Sequence, residues 1–401
     1  MSRIVLVAGP DPGHALPVLG VARELRARGH ETTVATGTQH AAQVAAEGHR
    51  FLELPLLRST PFDHDFGHVL WVRAGQMAPP LRALLAPLRP ELLVVDTLTS
   101  VGGFVADLLG VPWVEVCPHH LTDPDPLVPP VGLGRAPSAG RMRQRSDAQI
   151  RRAQARSVAQ GHELRDRARR AIGLGAPSDP VLRLLQTVPG LEPLRATWPA
   201  TAHVVGALAI DPELPPLQPP PGDDPLVVVT DSTATGLPSP LGEAALIGLR
   251  GAGVRVVITT GRSDLVAWDG AVVGRAPHGP LLDLANVAVG PGGGGFTAKA
   301  LIRAVPLVAI PLAGDQRETA ARIRTSGAGR WLPPRRATPA RLATTILDLL
   351  ADPVAAAAAR GLADGARGLG PERAATLVEA ALAGAVPAAT SASTVSTDAG
   401  P

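Results

Sequence analysis

The stretch that most constrains this chain runs from Val287 to Leu301 and reads Val-Ala-Val-Gly-Pro-Gly-Gly-Gly-Gly-Phe-Thr-Ala-Lys-Ala-Leu. Its apolar start predicts a short buried strand, the five glycines between Gly290 and Gly295 predict a turn, and the rest predicts a helix. Such a turn lets several backbone N–H groups converge at the positive end of a helix, which is typical of phosphate and diphosphate sites. A tight turn that binds nothing is the alternative, although five glycines exceed what a turn needs and each costs backbone entropy.

A second polar pair follows the next predicted strand. The apolar run from Val305 to Pro311 predicts that strand, and Asp315 and Gln316 come shortly after it. Parallel strands end at the same edge of a sheet, and ligands of open α/β sheets bind in the crevice at that edge. We therefore expect this acid and this amide to lie beside the glycine turn.

Strand and helix patterns alternate along most of the chain, which predicts an α/β protein with parallel sheets and right-handed crossovers. Two such series occur, separated by a proline-rich stretch. We predict an N-terminal domain at 1–210, a linker at 211–224, a C-terminal domain at 225–386 and a disordered tail at 387–401. The predicted fold is two Rossmann-like, doubly wound domains that face each other across a crevice.

Two segments of the first series carry more specific predictions. A helical pattern from about Val69 to Leu88 is expected to be interrupted at Pro79-Pro80. Ten arginines between Arg141 and Ala171 predict either one or two solvated helices or a basic surface for an anionic partner.

Composition excludes several classes of protein. No run of 18 or more apolar residues occurs, so no membrane span is predicted, and the N-terminus leads directly into a strand rather than a signal peptide. The single cysteine, Cys117, excludes an internal disulfide and fits the cytoplasm. With five Trp, five Phe and no Tyr, the chain offers few rings for base stacking, so no nucleic-acid partner is expected. His119 and His120 are adjacent without an acid or cysteine at ligand spacing, so no metal is expected.

Five markers, in order along the chain, together resemble a known family. They are Gly13-His-Ala-Leu-Pro17, Pro90-Glu-Leu-Leu-Val-Val-Asp96, Ala276-Pro-His-Gly-Pro-Leu-Leu282, the glycine turn, and Asp315-Gln316. At these spacings the chain resembles a family 1 glycosyltransferase of the two-Rossmann-domain (GT-B) type, close to actinobacterial enzymes that glycosylate macrolides, enediynes and other natural products. The resemblance extends over nearly the whole chain, to about residue 385. No single marker is specific, but the set is.

The resemblance implies an inverting enzyme that moves a sugar from a nucleotide-diphosphate donor of the UDP or dTDP type to a hydroxyl of a hydrophobic acceptor. His14 would be the catalytic base and Asp96 would hold its other ring nitrogen, which suits an imidazole that titrates near neutral pH. No cofactor is expected beside the nucleotide-sugar. The implied donor-binding residues are Ser232, Ala276, His278, Gly292, Gly293, Gly294, Gly295, Thr297, Asp315 and Gln316.

The acceptor cleft is expected from the loops at 55–70 and 118–140. Phe62, Phe66 and Trp71 offer apolar contacts there in a chain otherwise poor in aromatic residues. Both substrates are therefore expected to be small molecules, and a homodimer or a complex with a partner transferase is left open.

The donor site also departs from the family pattern, which usually has His-Gly-Gly-x-Gly-Thr at the diphosphate. Alignment on the glycines places Pro291 at the His position and Phe296 at the Thr position, and Lys299 where an acid is usual. Thr297 follows one residue late as a substitute hydroxyl, and Asp231 places a carboxylate near the expected diphosphate. Loss of a charge-assisted hydrogen bond of about 1.5–3 kcal/mol weakens donor binding, unless Lys299 supplies a substitute cation.

Three interpretations therefore stay open. The first is an active sugar transferase with an altered donor site, and the second is a catalytically impaired homologue that serves as an auxiliary or scaffold partner in a biosynthetic pathway. The third is a dinucleotide enzyme, because Gly290–Gly295 matches Gly-x-Gly-x-x-Gly. That match is almost automatic in so glycine-rich a run, and dinucleotide-binding folds normally place it after their first strand.

Overall fold

The computed structural model describes residues 1–57, 67–231, 239–387 and 389. Within them the chain forms two parallel β-sheets with helices on both faces. The strands of the first sheet are β1 (Arg3–Val7), β2 (Glu31–Thr36), β3 (Arg50–Glu53), β4 (Leu92–Asp96), β5 (Trp113–Cys117), β6 (Leu182–Leu185) and β7 (Ala202–Val204). Those of the second are β8 (Leu226–Thr230), β9 (Arg255–Thr259), β10 (Ala271–Gly274), β11 (Val287–Gly290), β12 (Leu307–Ala309) and β13 (Gly329–Trp331).

The helices follow the strands in alternation along most of the chain. The N-terminal half contains α1 (Pro12–Ala27), α2 (Ala41–Ala46), α3 (Arg73–Leu85), α4 (Val101–Leu109) and α5 (Arg141–Ala171). The C-terminal half contains α6 (Leu241–Leu249), α7 (His278–Leu282), α8 (Gly294–Leu301), α9 (Gln316–Ser326), α10 (Pro339–Leu350), α11 (Pro353–Gly365) and α12 (Pro371–Leu382).

Both sheets have the doubly wound order, which confirms the predicted fold class. The first sheet runs β3-β2-β1-β4-β5-β6-β7 and the second β10-β9-β8-β11-β12-β13, and the strand pairs are parallel throughout. The order reverses between β1 and β4 in one sheet and between β8 and β11 in the other. Because ligands of such sheets bind where the order reverses, at the carboxyl ends of the strands, these two points locate the site.

The last helix returns to the first sheet. Residues of α12 join the core that β1, β4 and α1 build, and they are Ala374, Ala375, Leu377, Val378 and Ala381. Arg28 at the end of α1 also donates to Glu379 of α12 at 2.9 Å. The C-terminal end of the chain thus packs on the N-terminal sheet, while the predicted domain boundaries themselves stay predictions.

Several local predictions are corrected. The expected break at Pro79-Pro80 is absent, because α3 continues through both prolines, which lie on its exposed face. Burial of Ala74, Met77, Ala78, Leu81 and Leu85, spaced as one helical stripe, offsets the lost hydrogen bonds. The short strands β6 and β13 were not predicted.

The arginine-rich segment forms the single helix α5, with most of its residues exposed, as the solvated-helix interpretation expects. In the described part of the chain no single helix is long and apolar enough to cross a membrane; only α10 and α11 taken together reach that length and composition, and they are bent by 71°. The predicted tail at 387–401 lies outside the described residues except for 387 and 389.

Candidate active site

The first sheet brings His14 and Asp96 into direct contact. His14 lies in the first turn of α1, which follows β1, and Asp96 ends the neighbouring strand β4. The His14 Nδ1 atom lies 2.6 Å from Asp96 Oδ1, so the carboxylate fixes the ring with Nδ1 as the donor and leaves Nε2 for a substrate. The predicted pair therefore has the geometry of a catalytic His–Asp dyad.

Asp96 is held by more than the histidine. Its side chain is 1% exposed, and its Oδ2 accepts hydrogen bonds from the Thr99 hydroxyl at 2.8 Å and from the Leu98 N–H at 3.2 Å. These contacts satisfy a buried carboxylate and fix its orientation. Sequence reasoning missed both partners, although a Thr three residues after a strand-end acid is a recognisable capping spacing.

Opposing effects set the pKa of His14. Burial lowers it, whereas the hydrogen bond and charge of Asp96, with smaller contributions from Asp11 and Asp315, raise it. The carboxylates prevail, and the pKa of His14 lies above its ordinary value of 6.5. His14 is therefore a stronger base than an unperturbed histidine, but it is unprotonated, and able to act as a base, only at a higher pH.

The glycine turn lies opposite, at the strand-order reversal of the second sheet. The turn leads from β11 into α8, which begins at Gly294. Gly292 has φ +87°, and a Cβ on Gly294 would lie 2.1 Å from the Pro118 carbonyl oxygen of the first domain. A Cβ on Gly293 would meet nothing within 4 Å, so Gly293 borders open space where a ligand has access.

A cleft of about 370 Å³ joins the dyad to this turn. Its walls include the turn after β1 and the carboxyl ends of β8 and β11. Its charged or imidazole-bearing residues are Asp11, His14, His119, Asp231, His278, Lys299 and Asp315. Gly293, Gly294, Gly295 and Gln316 also border it. The structure thus brings together the proposed base, the glycine turn and the Asp-Gln pair in one interdomain cleft.

Asp315 and Gln316 differ in what they offer to a ligand. The Gln316 Oε1 accepts from the N–H groups of Leu312 and Ala313 at 2.8 and 2.9 Å, so it stabilises its own loop. Asp315 precedes α9, and its side chain does not cap that helix. Its carboxylate is therefore the more available of the two groups in the cleft.

The predicted nucleobase segment is divided between cleft and core. Ala276 is 5% exposed and lies in the apolar core of the second domain, so the structure does not bring its side chain to the cleft. His278 borders the cleft, with Nε2 3.0 Å from the Thr259 hydroxyl and 3.3 Å from that of Thr230. Burial, assisted by the charge of Lys299, lowers the pKa of His278 to about 4, so its imidazole is neutral at pH 7.

Lys299, considered as a substitute cation, is engaged elsewhere. Its Nζ lies 2.6 Å from Asp211 Oδ1 and 3.0 Å from the Ile210 carbonyl oxygen, and the residue is 7% exposed. Asp211 also accepts from the N–H groups of His278 and Gly279. Lys299 therefore fixes the start of the linker, a role that sequence reasoning missed because its acidic partner lies 88 residues away.

The remaining donor-side residues show why the site is unusual. Phe296 borders the cleft and stacks edge-on against His278 with ring centroids 5.0 Å apart, so an apolar ring stands at the position expected for the Thr hydroxyl. Thr297 is 2% exposed and borders a separate small cavity, where its hydroxyl has no partner among the described residues. Ser232 lies outside the described residues.

The charge of the cleft is negative. Within the described part of the chain, both oxygens of Asp231 are buried without a hydrogen-bond partner. Asp11 and Asp315 add two more carboxylates, while the ammonium of Lys299 is neutralised by Asp211 and the imidazole of His14 faces Asp96. These carboxylates would repel the negative charge of a nucleoside diphosphate.

The predicted acceptor residues are only partly described. Phe62 and Phe66 lie outside the described residues. Trp71 borders a different cavity, of about 210 Å³, together with Phe104, Trp113 and Asp96 but without His14. The acceptor role of Trp71 stays a prediction. Across the described residues, no group of three or more His, Cys, Asp or Glu is arranged to hold a metal ion.

The fold is that of the class which the sequence resembles, the two-Rossmann-domain glycosyltransferases. Comparison with known proteins supports this resemblance. The family model described as "Erythromycin biosynthesis protein CIII-like, C-terminal domain" matches residues 254–377, which includes the glycine turn and Asp315-Gln316.

Individual relatives extend the similarity to nearly the full length. The chain is 28% identical to 4'-demethylrebeccamycin synthase of Lentzea aerocolonigenes, over 88% of this chain and 92% of that protein. It superposes on the crystal structure of the kitacinnamycin glycotransferase with a TM-score of 0.75 at 23% identity, covering 94% of this chain and 98% of the other.

A second similar solved structure is that of the spinosyn rhamnosyltransferase SpnG, solved with thymidine diphosphate and with spinosyn aglycone. The TM-scores are 0.69 and 0.68 at 22% identity, over 94% of this chain and all of the other. The comparisons confirm the predicted resemblance, and the protein is classed as a glycosyltransferase of the GT-B type, similar to enzymes of natural-product pathways.

Proposed function

We propose that the protein is an inverting glycosyltransferase that moves a sugar from a UDP or dTDP donor to a hydroxyl of a hydrophobic natural-product acceptor. The observation that carries the proposal is the 2.6 Å contact between His14 and Asp96 in a cleft whose opposite wall is the glycine turn. The thymidine diphosphate and aglycone bound by the spinosyn enzyme support the same two substrate classes.

In the proposed reaction His14 Nε2 takes the proton of the acceptor hydroxyl. The acceptor oxygen then forms a bond to the anomeric carbon as the bond from that carbon to the diphosphate oxygen breaks, and the nucleoside diphosphate leaves with the electron pair. Asp96 keeps Nδ1 protonated and stabilises the imidazolium that forms. The N-terminus of α8, bordered by open space at Gly293, faces the leaving diphosphate in this proposal. We expect transfer to need no metal, so that EDTA leaves the rate unchanged.

The test is the His14→Ala variant, assayed by mass spectrometry with UDP- and dTDP-glucose and a panel of hydroxylated aromatic and macrolactone acceptors. Turnover should fall by about 10²–10⁴-fold with unchanged folding. His162→Ala, on the exposed face of α5, is the matched control. Near-normal turnover in His14→Ala would remove the dyad from the mechanism. Absence of transfer and of nucleotide binding in a correctly folded wild-type protein would favour the auxiliary-partner function.

A further inference from the structure

A second cavity lies between the domains, away from the dyad. It has a volume of about 240 Å³ and shares none of its lining residues with the cleft at His14. One wall is the loop at 128–137 with residues 190–194, and the other is one face of α9, formed by Glu318, Ala321, Arg322, Thr325 and Ser326. This interdomain cavity is called the α9 pocket below.

The loop wall of the α9 pocket is held in place by α5. Arg151 donates to the Val128 carbonyl oxygen at 3.0 Å, and Gln154 donates to that of Val131 at 2.6 Å. The wall itself is largely apolar, with Val128, Val131, Leu191 and several prolines. A preformed cavity with apolar walls is the usual form of a small-molecule site.

One carboxylate in the α9 pocket has no ion-pair partner in the part of the chain that the structure describes. Glu318 is 8% exposed; its Oε1 accepts from the Gly134 N–H at 2.8 Å, and its Oε2 has no partner among the described residues. The other charged lining groups are paired, Glu192 with Arg322 at 2.7 Å and Arg135 with Asp147 at 2.8 Å.

A buried carboxylate without a cation is unfavourable, and a ligand that supplies an ammonium N–H relieves it. The hydroxyls of Thr325 and Ser326 do not donate to Glu318, because both donate to carbonyl oxygens of their own helix. We propose that the α9 pocket is a second ligand site, for a small molecule with an apolar body and a protonated amine that pairs with Glu318.

The test uses cyclohexylammonium as the probe, with cyclohexanol and cyclohexanecarboxylate as neutral and anionic comparisons, titrated by saturation-transfer NMR. In wild-type protein the amine should bind at least about 5-fold more tightly than either comparison. Glu318→Gln keeps the acceptor for Gly134 and removes the charge, so it should reduce that preference to within about 2-fold. Glu163→Gln, an exposed glutamate on α5, is the matched control and should change nothing.

A second variant tests whether the probe binds in the α9 pocket. Thr325 borders the α9 pocket on its exposed side, so Thr325→Trp should abolish binding of both amine and alcohol without unfolding the protein. Equal binding of amine and alcohol to wild type would overturn the proposal. Amine binding that survives Glu318→Gln or Thr325→Trp would overturn it as well, because the amine would then bind elsewhere.

Discussion

The donor side of the cleft yields the sharpest prediction. Pro291 stands where the related pattern has a histidine, and it supplies neither a backbone N–H nor an ionisable side chain. Asp231 borders the same cleft, and neither of its oxygens has a hydrogen-bond partner among the described residues. We predict that wild-type protein binds UDP and dTDP weakly, and that Pro291→His combined with Asp231→Gly binds them at least about tenfold more tightly.

The magnitude follows from the loss of one repulsion and the gain of one hydrogen bond. A diphosphate charge about 7 Å from the carboxylate of Asp231 would be repelled by about 2.4 kcal/mol when the effective dielectric constant is about 20. Because the cleft opens to solvent, about half of this repulsion survives screening. A charge-assisted hydrogen bond from a new imidazole adds about 1.5–3 kcal/mol before losses in side-chain entropy. A net gain of at least about 1.4 kcal/mol, or tenfold, is therefore a conservative expectation.

Calorimetric titration with UDP and dTDP measures the effect directly. Asp231→Asn preserves the side-chain volume and tests the charge alone, in case the double variant folds poorly. Asp348→Asn, at an exposed acid on α10, is the matched control outside the cleft. Tight wild-type binding that becomes weaker in the double variant would refute the reasoning, because it would show a rebuilt donor site that uses Asp231 or Pro291.

Three further predictions test the dyad, the linker ion pair and the last helix. Asp96→Asn should lower turnover by about 10²–10⁴-fold and shift the acidic limb of the pH–rate profile to lower pH. The base must be unprotonated, so wild-type activity rises through a pKa above 6.5, whereas without the carboxylate burial lowers the pKa of His14. An acidic limb that does not move would contradict this. Lys299→Met should cost about 1.5–3 kcal/mol of unfolding free energy, measured by denaturant titration, with dTDP affinity unchanged and with stability recovered by adding Asp211→Asn; a tenfold loss of affinity instead would assign Lys299 to the diphosphate. Truncation after Gly370 removes α12 from the N-terminal core and should cost more than about 4 kcal/mol, so an unchanged melting temperature would show that α12 is dispensable.

The dyad was predicted from the family resemblance, and the positions of its two residues at strand ends agree with that prediction. His14 follows the first apolar strand and Asp96 ends another, and parallel strands align their carboxyl ends at one edge. The Asp-Gln pair and the glycine turn were predicted in the same way. Their placement at one edge of a sheet needed only the ends of the neighbouring strands, which were readable from apolar runs.

Residues whose role depends on a distant partner could not be predicted. The helical position of Lys299 suggested a free cation, but its charge is neutralised by Asp211 in the linker. Thr297 was predicted to contact the diphosphate, but α8 buries its hydroxyl beside a different cavity. The ion pair between Glu192 and Arg322, which joins the two domains, could not be predicted either, because no local sequence pattern specifies which surfaces come into contact.

The glycine turn shows why backbone geometry and donor chemistry are separable in this fold. Gly292 is required by its positive φ, and Gly294 by its approach to the Pro118 carbonyl oxygen of the other domain. These two constraints act on folding and on domain packing whether or not a diphosphate binds. Gly293 alone borders open space without a steric requirement. The presence of the turn therefore indicates the fold, and we expect the carboxylate of Asp231, rather than the turn, to limit how strongly the cleft holds a donor.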